Sequence, residues 1–128
     1  MNLLLDTHIW YWLASDIGRL GKRVRDQLTN PANEIWISPV STWEIGVLNA
    51  KARIRISGEL KSWIARATQG THEAPLTHEI AQVAAQLPIH RDPADRFLVA
   101  TSQVLDLTLV TADEKLLGLG TIRSLANR

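Results

Sequence analysis

The chain has 128 residues with 14 Lys and Arg against 13 Asp and Glu, a formal charge of +1, and is long enough for one domain, 1–128, with a core of its own. No apolar run approaches the roughly 18 residues of a membrane span, and the absence of cysteine excludes a disulfide framework and a thiolate metal site. Together these fit a cytoplasmic protein. The first residues, MNLLLDTHIWYWLA, lack a basic leader and carry Asp6 and His8, unlike a signal peptide. Net charge alone is neutral on a nucleic-acid partner. Basic residues nevertheless cluster at Lys22, Arg23 and Arg25, at Lys51, Arg53 and Arg55, and at Arg91 and Arg96; the ordinary meaning of such clusters is a solvated face.

In chain order, residues 2–5 form a short apolar run without alternation, as in a strand of a parallel sheet covered on both faces. It ends at Asp6, and THIWYWLA reads as a helix, so Asp6 lies where a strand gives way to a helix. Open α/β folds place ligands at such carboxyl ends, although Asp6 or Thr7 also suits a plain helix cap. Gly18 and Gly21 mark a turn before a basic-faced helix at 22–28, and EIWIS, 34–38, is a second strand. Ser38-Pro39 is a cap followed by a proline at the first helical position, opening a helix to about residue 52. Its inward stripe takes in Val40, Trp43, Glu44, Val47 and Leu48. Glu44 then stands on an apolar face, where a carboxylate needs a partner, the simplest being a cation; a capping box from Ser41 and a border position reaching solvent are the alternatives.

ARIRISG, 52–58, alternates basic and apolar residues, which suggests either a short edge strand or an irregular crossing. Residues 59–68 read as a helix, HEAPL as a third short strand, and 77–87 as a helix capped by Thr77 and ended by Pro88. The stretch HRDPADRFLVATS, 90–102, then gives a cap at Asp92, a proline at the first helical position and apolar residues Phe97, Leu98, Ala100, Thr101 and Leu105 on one face. Asp95 falls in the first turn, near the positive end of the helix dipole. LTLVT, 107–111, is another apolar strand, with Asp113 just beyond it and a short helix at 114–117. Thr111 and Glu114 offer a capping box there. The last residues read as an edge strand and a frayed tail.

Strands alternating with helices predict a three-layer α/β/α sandwich with a mainly parallel central sheet. Asp6 and Asp113 follow strand ends, and Glu44 and Asp95 lie in early turns of helices, so the four can share one crevice. Two like charges about 4 Å apart repel by roughly 4 kcal/mol at an effective dielectric of 20. A divalent cation resolves the conflict, and hard oxygen donors favour Mg²⁺ or Mn²⁺ over zinc. Such an ion suits phosphoryl chemistry, activating water and neutralising charge on a phosphate.

Four motifs stand in order along the chain: LLLDTHIWYWL, SPVSTWE, HRDPADRFLVATS and LVTAD. With this order and spacing the sequence resembles PIN-domain ribonucleases, more narrowly the VapC-type toxins of bacterial toxin–antitoxin pairs, over essentially its whole length. The resemblance implies a PIN-like fold and metal-dependent cleavage of single-stranded or structured RNA. It also implies a homodimer and a small antitoxin protein as partner. By position the family's acidic quartet falls on Asp6, Glu44, Asp95 and Asp113, with Asp6 and Asp95 as main ligands of Mg²⁺ or Mn²⁺. Family members commonly carry a larger residue at the place of Ala94, a departure that leaves the acids intact. Thr7 and Thr111 are expected to hold a ligand or a water. Arg91 and Arg96 are expected to contact RNA phosphate or to anchor Asp92. Two other readings compete: a non-catalytic binding or scaffold domain of the same fold, and a phosphatase or phosphotransfer domain with an aspartyl nucleophile. The second usually wants another acid just after Asp6, where this chain has His8.

Overall fold

A computed structural model describes residues 1–89 and 91–128; His90, the first residue of the HxDPxDR motif, lies outside the described residues. Five strands form one parallel sheet: β1 (Asn2–Leu5), β2 (Glu34–Ile37), β3 (His72–Glu73), β4 (Thr108–Thr111) and β5 (Arg123–Ala126), in the order β3-β2-β1-β4-β5. Leu3 pairs with Ile35 on one side and with Thr108 on the other, so β1 is the central strand. The strand order reverses around β1, which opens a crevice between the carboxyl ends of β1 and β4.

The apolar run in β1 is explained by cover on both faces. Leu3 and Leu5 pack with α1 (Thr7–Ser15), α2 (Lys22–Leu28) and α4 (Leu60–Ala67) through Ile9, Trp10, Val24 and Trp63. Leu4 points the other way, to α6 (Pro93–Leu105) and α7 (Glu114–Leu117) through Leu98, Val99 and Leu116. Alternate residues of a strand face opposite layers, so one apolar tetrapeptide serves both cores. α5 (His78–Gln86) packs its Ile80 and Ala84 on Ala100 of α6. α3 (Pro39–Ala50) lends Ile45 to the first core and Val40 to the second.

Several sequence expectations change in detail. Trp43, placed on the inward stripe of α3, is 61% exposed; Ile45 and Ser41 are the buried side chains there. The expected third strand contracts to His72 and Glu73. Residues 52–58 form no strand: Ala52 turns the chain with a left-handed φ of 56° after α3. α7 is capped by Asp113, whose Oδ1 accepts from the Lys115 amide at 2.9 Å, and not by Thr111. The tail is pinned rather than frayed. Asn127 accepts from the Gly21 amide at 2.7 Å and donates to the Arg19 carbonyl at 3.1 Å. A Cβ on Gly21 would stand 2.0 Å from the Arg128 carbonyl oxygen, so this close approach admits glycine alone.

Candidate active site

Asp6 leaves β1 and caps α1, its Oδ1 accepting from the Thr7 amide at 2.7 Å. Its other oxygen accepts from the Thr111 hydroxyl at 2.6 Å, which ties the ends of β1 and β4 together. The Thr111 hydroxyl also accepts from the Asp113 amide at 3.0 Å, setting the turn that carries the second acid. Thr7 is buried, and its hydroxyl donates to Ser41 Oγ of α3 at 2.9 Å. Both threonines therefore grip protein groups of the crevice. Ser41 was not singled out among the site residues in sequence, although a small hydroxyl inside the SPVSTWE motif, on the buried side of α3, is the available signal.

α6 begins at the cap read from sequence: Asp92 Oδ1 accepts from the Asp95 amide at 3.0 Å, with Pro93 in the first turn. Asp95 turns back toward the crevice, its side chain 15% exposed. Arg91 bridges two acids. Its Nε donates to Asp95 Oδ2 at 3.0 Å, and its Nη2 pairs with both Asp95 and Asp113. It thus holds Asp95 and Asp113; of the two expected roles, anchoring Asp92 is not what it does here. Arg96 does not anchor Asp92 either: it donates to the carbonyls of Ala85, Leu87 and Ile89, closing the exposed end of α5 against α6.

The electrostatics set these acids apart from the rest of the chain. Burial pushes the Asp6 carboxyl above the usual range; the Thr111 hydroxyl and the Thr7 amide oppose this, and the charge of Asp113 adds to it. Glu44, half-buried, is raised by burial and by the charges of Asp6 and Asp92, against contact with the Thr7 hydroxyl. Asp95 is pushed up to about 6 by burial and by the charges of Asp92 and Asp6, with Arg91 pulling the other way. The charge of Asp6 thus acts on both Glu44 and Asp95, an excess of negative charge that calls for a cation. All the donors are hard oxygens, so the donor set and the charge fit a divalent ion of the Mg²⁺ or Mn²⁺ type. Among the described residues no three acidic or histidine side chains stand close enough to share an ion as they are placed. Arg91 draws Asp95 and Asp113 to itself and supplies the counter-charge in this arrangement.

Fold and site together define a class of protein: a three-layer α/β domain with a parallel sheet and acids at its switch-point crevice. The PIN domain family model matches residues 3–120, so the chain belongs to the PIN-domain family. It is 30% identical over 117 residues to Ribonuclease VapC22 of Mycobacterium tuberculosis, covering 90% of this chain and 89% of that one. Among solved structures, VapBC2 from Rickettsia felis bound to a promoter DNA fragment superposes with a TM-score of 0.74 at 14% identity, over 98% of each chain. DNA-bound VapBC from Salmonella typhimurium gives 0.72 at 14% identity, over 100% of this chain and 99% of that one. A toxin–antitoxin complex from Klebsiella pneumoniae gives 0.67 at 22% identity, over 98% of each.

Proposed function

We propose that this chain, as a single domain, is a metal-dependent endoribonuclease, the toxin of a toxin–antitoxin pair, acting in the cytoplasm on RNA. The observation that carries the reading is the charge of Asp6 acting on Glu44 and on Asp95 across three separate elements, each carboxyl raised by burial and by a neighbouring acid. The 30% identity to a relative named as a ribonuclease supports the same chemistry.

Asp6 and Asp95 would hold the ion, Mg²⁺ or Mn²⁺, with Glu44 and Asp113 completing the set. When bound, that ion supplies Lewis-acid activation of water and charge neutralisation at phosphorus. The chain's own residues supply the positioning. Thr111 and the Thr7 amide fix the Asp6 carboxylate in one orientation, so little rearrangement remains when substrate arrives. Burial and neighbouring acids raise the carboxyls of Glu44 and Asp95, and a cation that offsets the shared charge relieves that strain. Arg91 must release Asp95 and Asp113 for the acids to engage an ion, and its freed guanidinium is then beside an anionic substrate.

Two partners complete the proposal. A homodimer is supported by the recess of about 300 Å³ lined by Pro39, Val40, Trp43, Leu76, Pro93 and Phe97, where Trp43 and Leu76 are exposed. A small antitoxin protein is supported by the toxin–antitoxin complexes among the structural relatives. Among the described residues no helix is long and apolar enough to cross a membrane.

The test is incubation of purified protein with total RNA, with and without Mg²⁺ or Mn²⁺, followed by end mapping. Cleavage that needs the metal and is abolished in Asp6→Asn and Asp95→Asn is the expected result. Undiminished cleavage by either pure variant would overturn the assignment of the acids. Absence of cleavage by every form would favour a scaffold domain.

A further inference from the structure

A groove of about 600 Å³ runs beside α1, lined among others by His8, Trp12, Asp16, Arg19, Arg53 and Arg55. The proposed acids do not line it, yet it starts next to them. His8 follows Asp6 by two residues, and its charge acts on both Asp6 and Glu44. Residues 8 and 12 share a face of α1 by helical spacing. Their rings lie 5.8 Å apart, tilted by 53°, and the Arg19 guanidinium lies 5.8 Å from the Trp12 ring centroid. The groove thus has one aromatic wall.

The opposite wall is cationic. The left-handed turn at Ala52 sends residues 53–55 across α1, and Tyr11 locks them there, its hydroxyl donating to the Arg55 carbonyl at 2.7 Å. Arg53 and Arg55 are exposed, and among the described residues neither forms an ion pair with a carboxylate. Asp16, the acid of the groove, is paired with Arg19 at 3.1 Å. Two uncompensated guanidinium groups lining one groove with a partly exposed indole, on the helix that Asp6 caps, match the chemistry of one nucleotide: a planar base and an anionic phosphate.

We propose that this groove binds the nucleotide flanking the scissile phosphate of a single-stranded RNA, its base against Trp12 and its phosphate against Arg53 and Arg55. The inference rests on the ribonuclease reading and adds a subsite on this chain for a flanking nucleotide. Helix rise sets Trp12 about 9 Å along α1 from Asp6, so the base held there belongs to a neighbour of the nucleotide at the acids. A base can reach the indole only when unstacked from its own partner, which selects single strands over duplex. The groove on the far side of Tyr11 and Arg55 differs: about 760 Å³, it is walled by Trp10, Leu13 and Trp63, a lining suited to an apolar protein segment.

The experiment measures binding of a short fluorescein-labelled 2′-O-methyl oligoribonucleotide, single-stranded and as a duplex, by anisotropy in Mn²⁺ buffer over a range of salt. The double variant Arg53→Gln/Arg55→Gln changes exposed side chains only. It should weaken single-strand binding by about tenfold and flatten the slope of log K against log salt by about 0.7, the value for one phosphate contact on a single strand. Trp12→Ala should weaken binding by about tenfold, within the range for one lost base stack, while Trp12→Phe retains most of the affinity. Because Trp12 packs partly on the core, the thermal melt of each variant is recorded, and Trp12→Phe keeps the test valid if Trp12→Ala unfolds. Unchanged affinity and salt slope in the double variant overturn the proposal, as does tighter binding of duplex than of single strand. Retained RNA affinity with lost binding of an oligoglutamate probe would make the groove a protein-docking surface, also overturning it. Wild-type cleavage of total RNA together with unchanged binding by the variants sinks this inference alone; wild-type protein that neither cleaves nor binds RNA sinks the ribonuclease reading with it.

Discussion

Asp92 and Asp95 stand three residues apart and are held in opposite ways. Asp92 is exposed and spends an oxygen on the Asp95 amide; Asp95 is sunk into the crevice beside Arg91. Asp92→Ala should therefore cost about 1 kcal/mol of stability, the worth of a helix cap, with activity lowered modestly. Asp92→Asn, which still caps, should be nearly silent in both assays. Asp95→Asn should keep its fold and lose a hundredfold or more in RNase rate, on the order of what loss of a charge-stabilising group costs. Chemical unfolding and rate measurements on the three proteins decide this, and a stable but dead Asp92→Asn would reverse the assignment.

The raised carboxyl of Asp95 makes a second test. Its folded value of about 6 lies above the ordinary 3.8, so the folded state binds the proton more tightly than the unfolded state. The stabilisation is full below pH 3.8 and is lost as pH rises through about 6. Metal-free wild type should thus lose more stability between pH 5 and pH 7 than Asp95→Asn does. Parallel melts in EDTA at the two pH values measure the difference, and identical pH dependence in the two proteins would contradict it. Arg91 cannot be read from sequence in this role. A basic residue beside two acids suggests a partner for the nearer, Asp92, whereas the fold brings Asp113, 22 residues away, within reach.

The helices were legible wherever cap and proline coincide. Ser38-Pro39 and Asp92-Pro93 each state a boundary twice, by side-chain chemistry and by backbone restriction, and both helices begin there. Trp43 was misplaced because a helix that meets two cores presents two narrow buried faces. Counting a single stripe from Val40 therefore swings the indole outward. The loop at 52–58 alternates like a strand, yet it has no neighbouring edge to pair with and is fixed instead by Tyr11. Arg96 shows what sequence spacing hides: it reads as half of a basic pair, but it satisfies three carbonyls at the end of α5. Arg96→Ala should destabilise the protein by about 2 kcal/mol, since bonds from a charged donor contribute about 1.5–3 kcal/mol. Denaturant unfolding checks the value, and a loss under about 0.5 kcal/mol, the level of an ordinary surface change, would deny Arg96 this tie.

For the molecule as a whole, the sheet order places every strand's carboxyl end at one rim. The acids of β1 and β4 meet there, which the alternation of strands and helices foretold. The spatial order of the strands was not written in that alternation, because pairing of β1 with β4 is decided by packing of two distant segments. The exposed recess around Trp43 lies beside the crevice, on α3 and α6, the helices that carry Glu44 and Asp95. The proposed dimer would use this recess. Trp43→Ser should weaken the dimer by about 30-fold, the loss of a tryptophan anchor contributing about 2 kcal/mol. Sedimentation over a range of concentrations reads the constant, and an undisturbed dimer would move the interface elsewhere.

The hydrogen bond from Thr111 to Asp6 spans 105 residues, and this has a consequence for biosynthesis. Loop closure over so long a separation comes late in folding, after the local contacts that offset its entropy. A nascent chain that has yet to release β4 from the ribosome has Asp6 without its second anchor, and Asp113 is still untranslated or in the exit tunnel. On the ribonuclease reading, such a chain is inert toward the RNA of the ribosome that makes it, and its acids assemble only after β4 is released. Stalled chains ending before residue 108 should fail to cleave added RNA, whereas released full-length chains should cleave it; activity in the stalled chains would show that the crevice forms without β4.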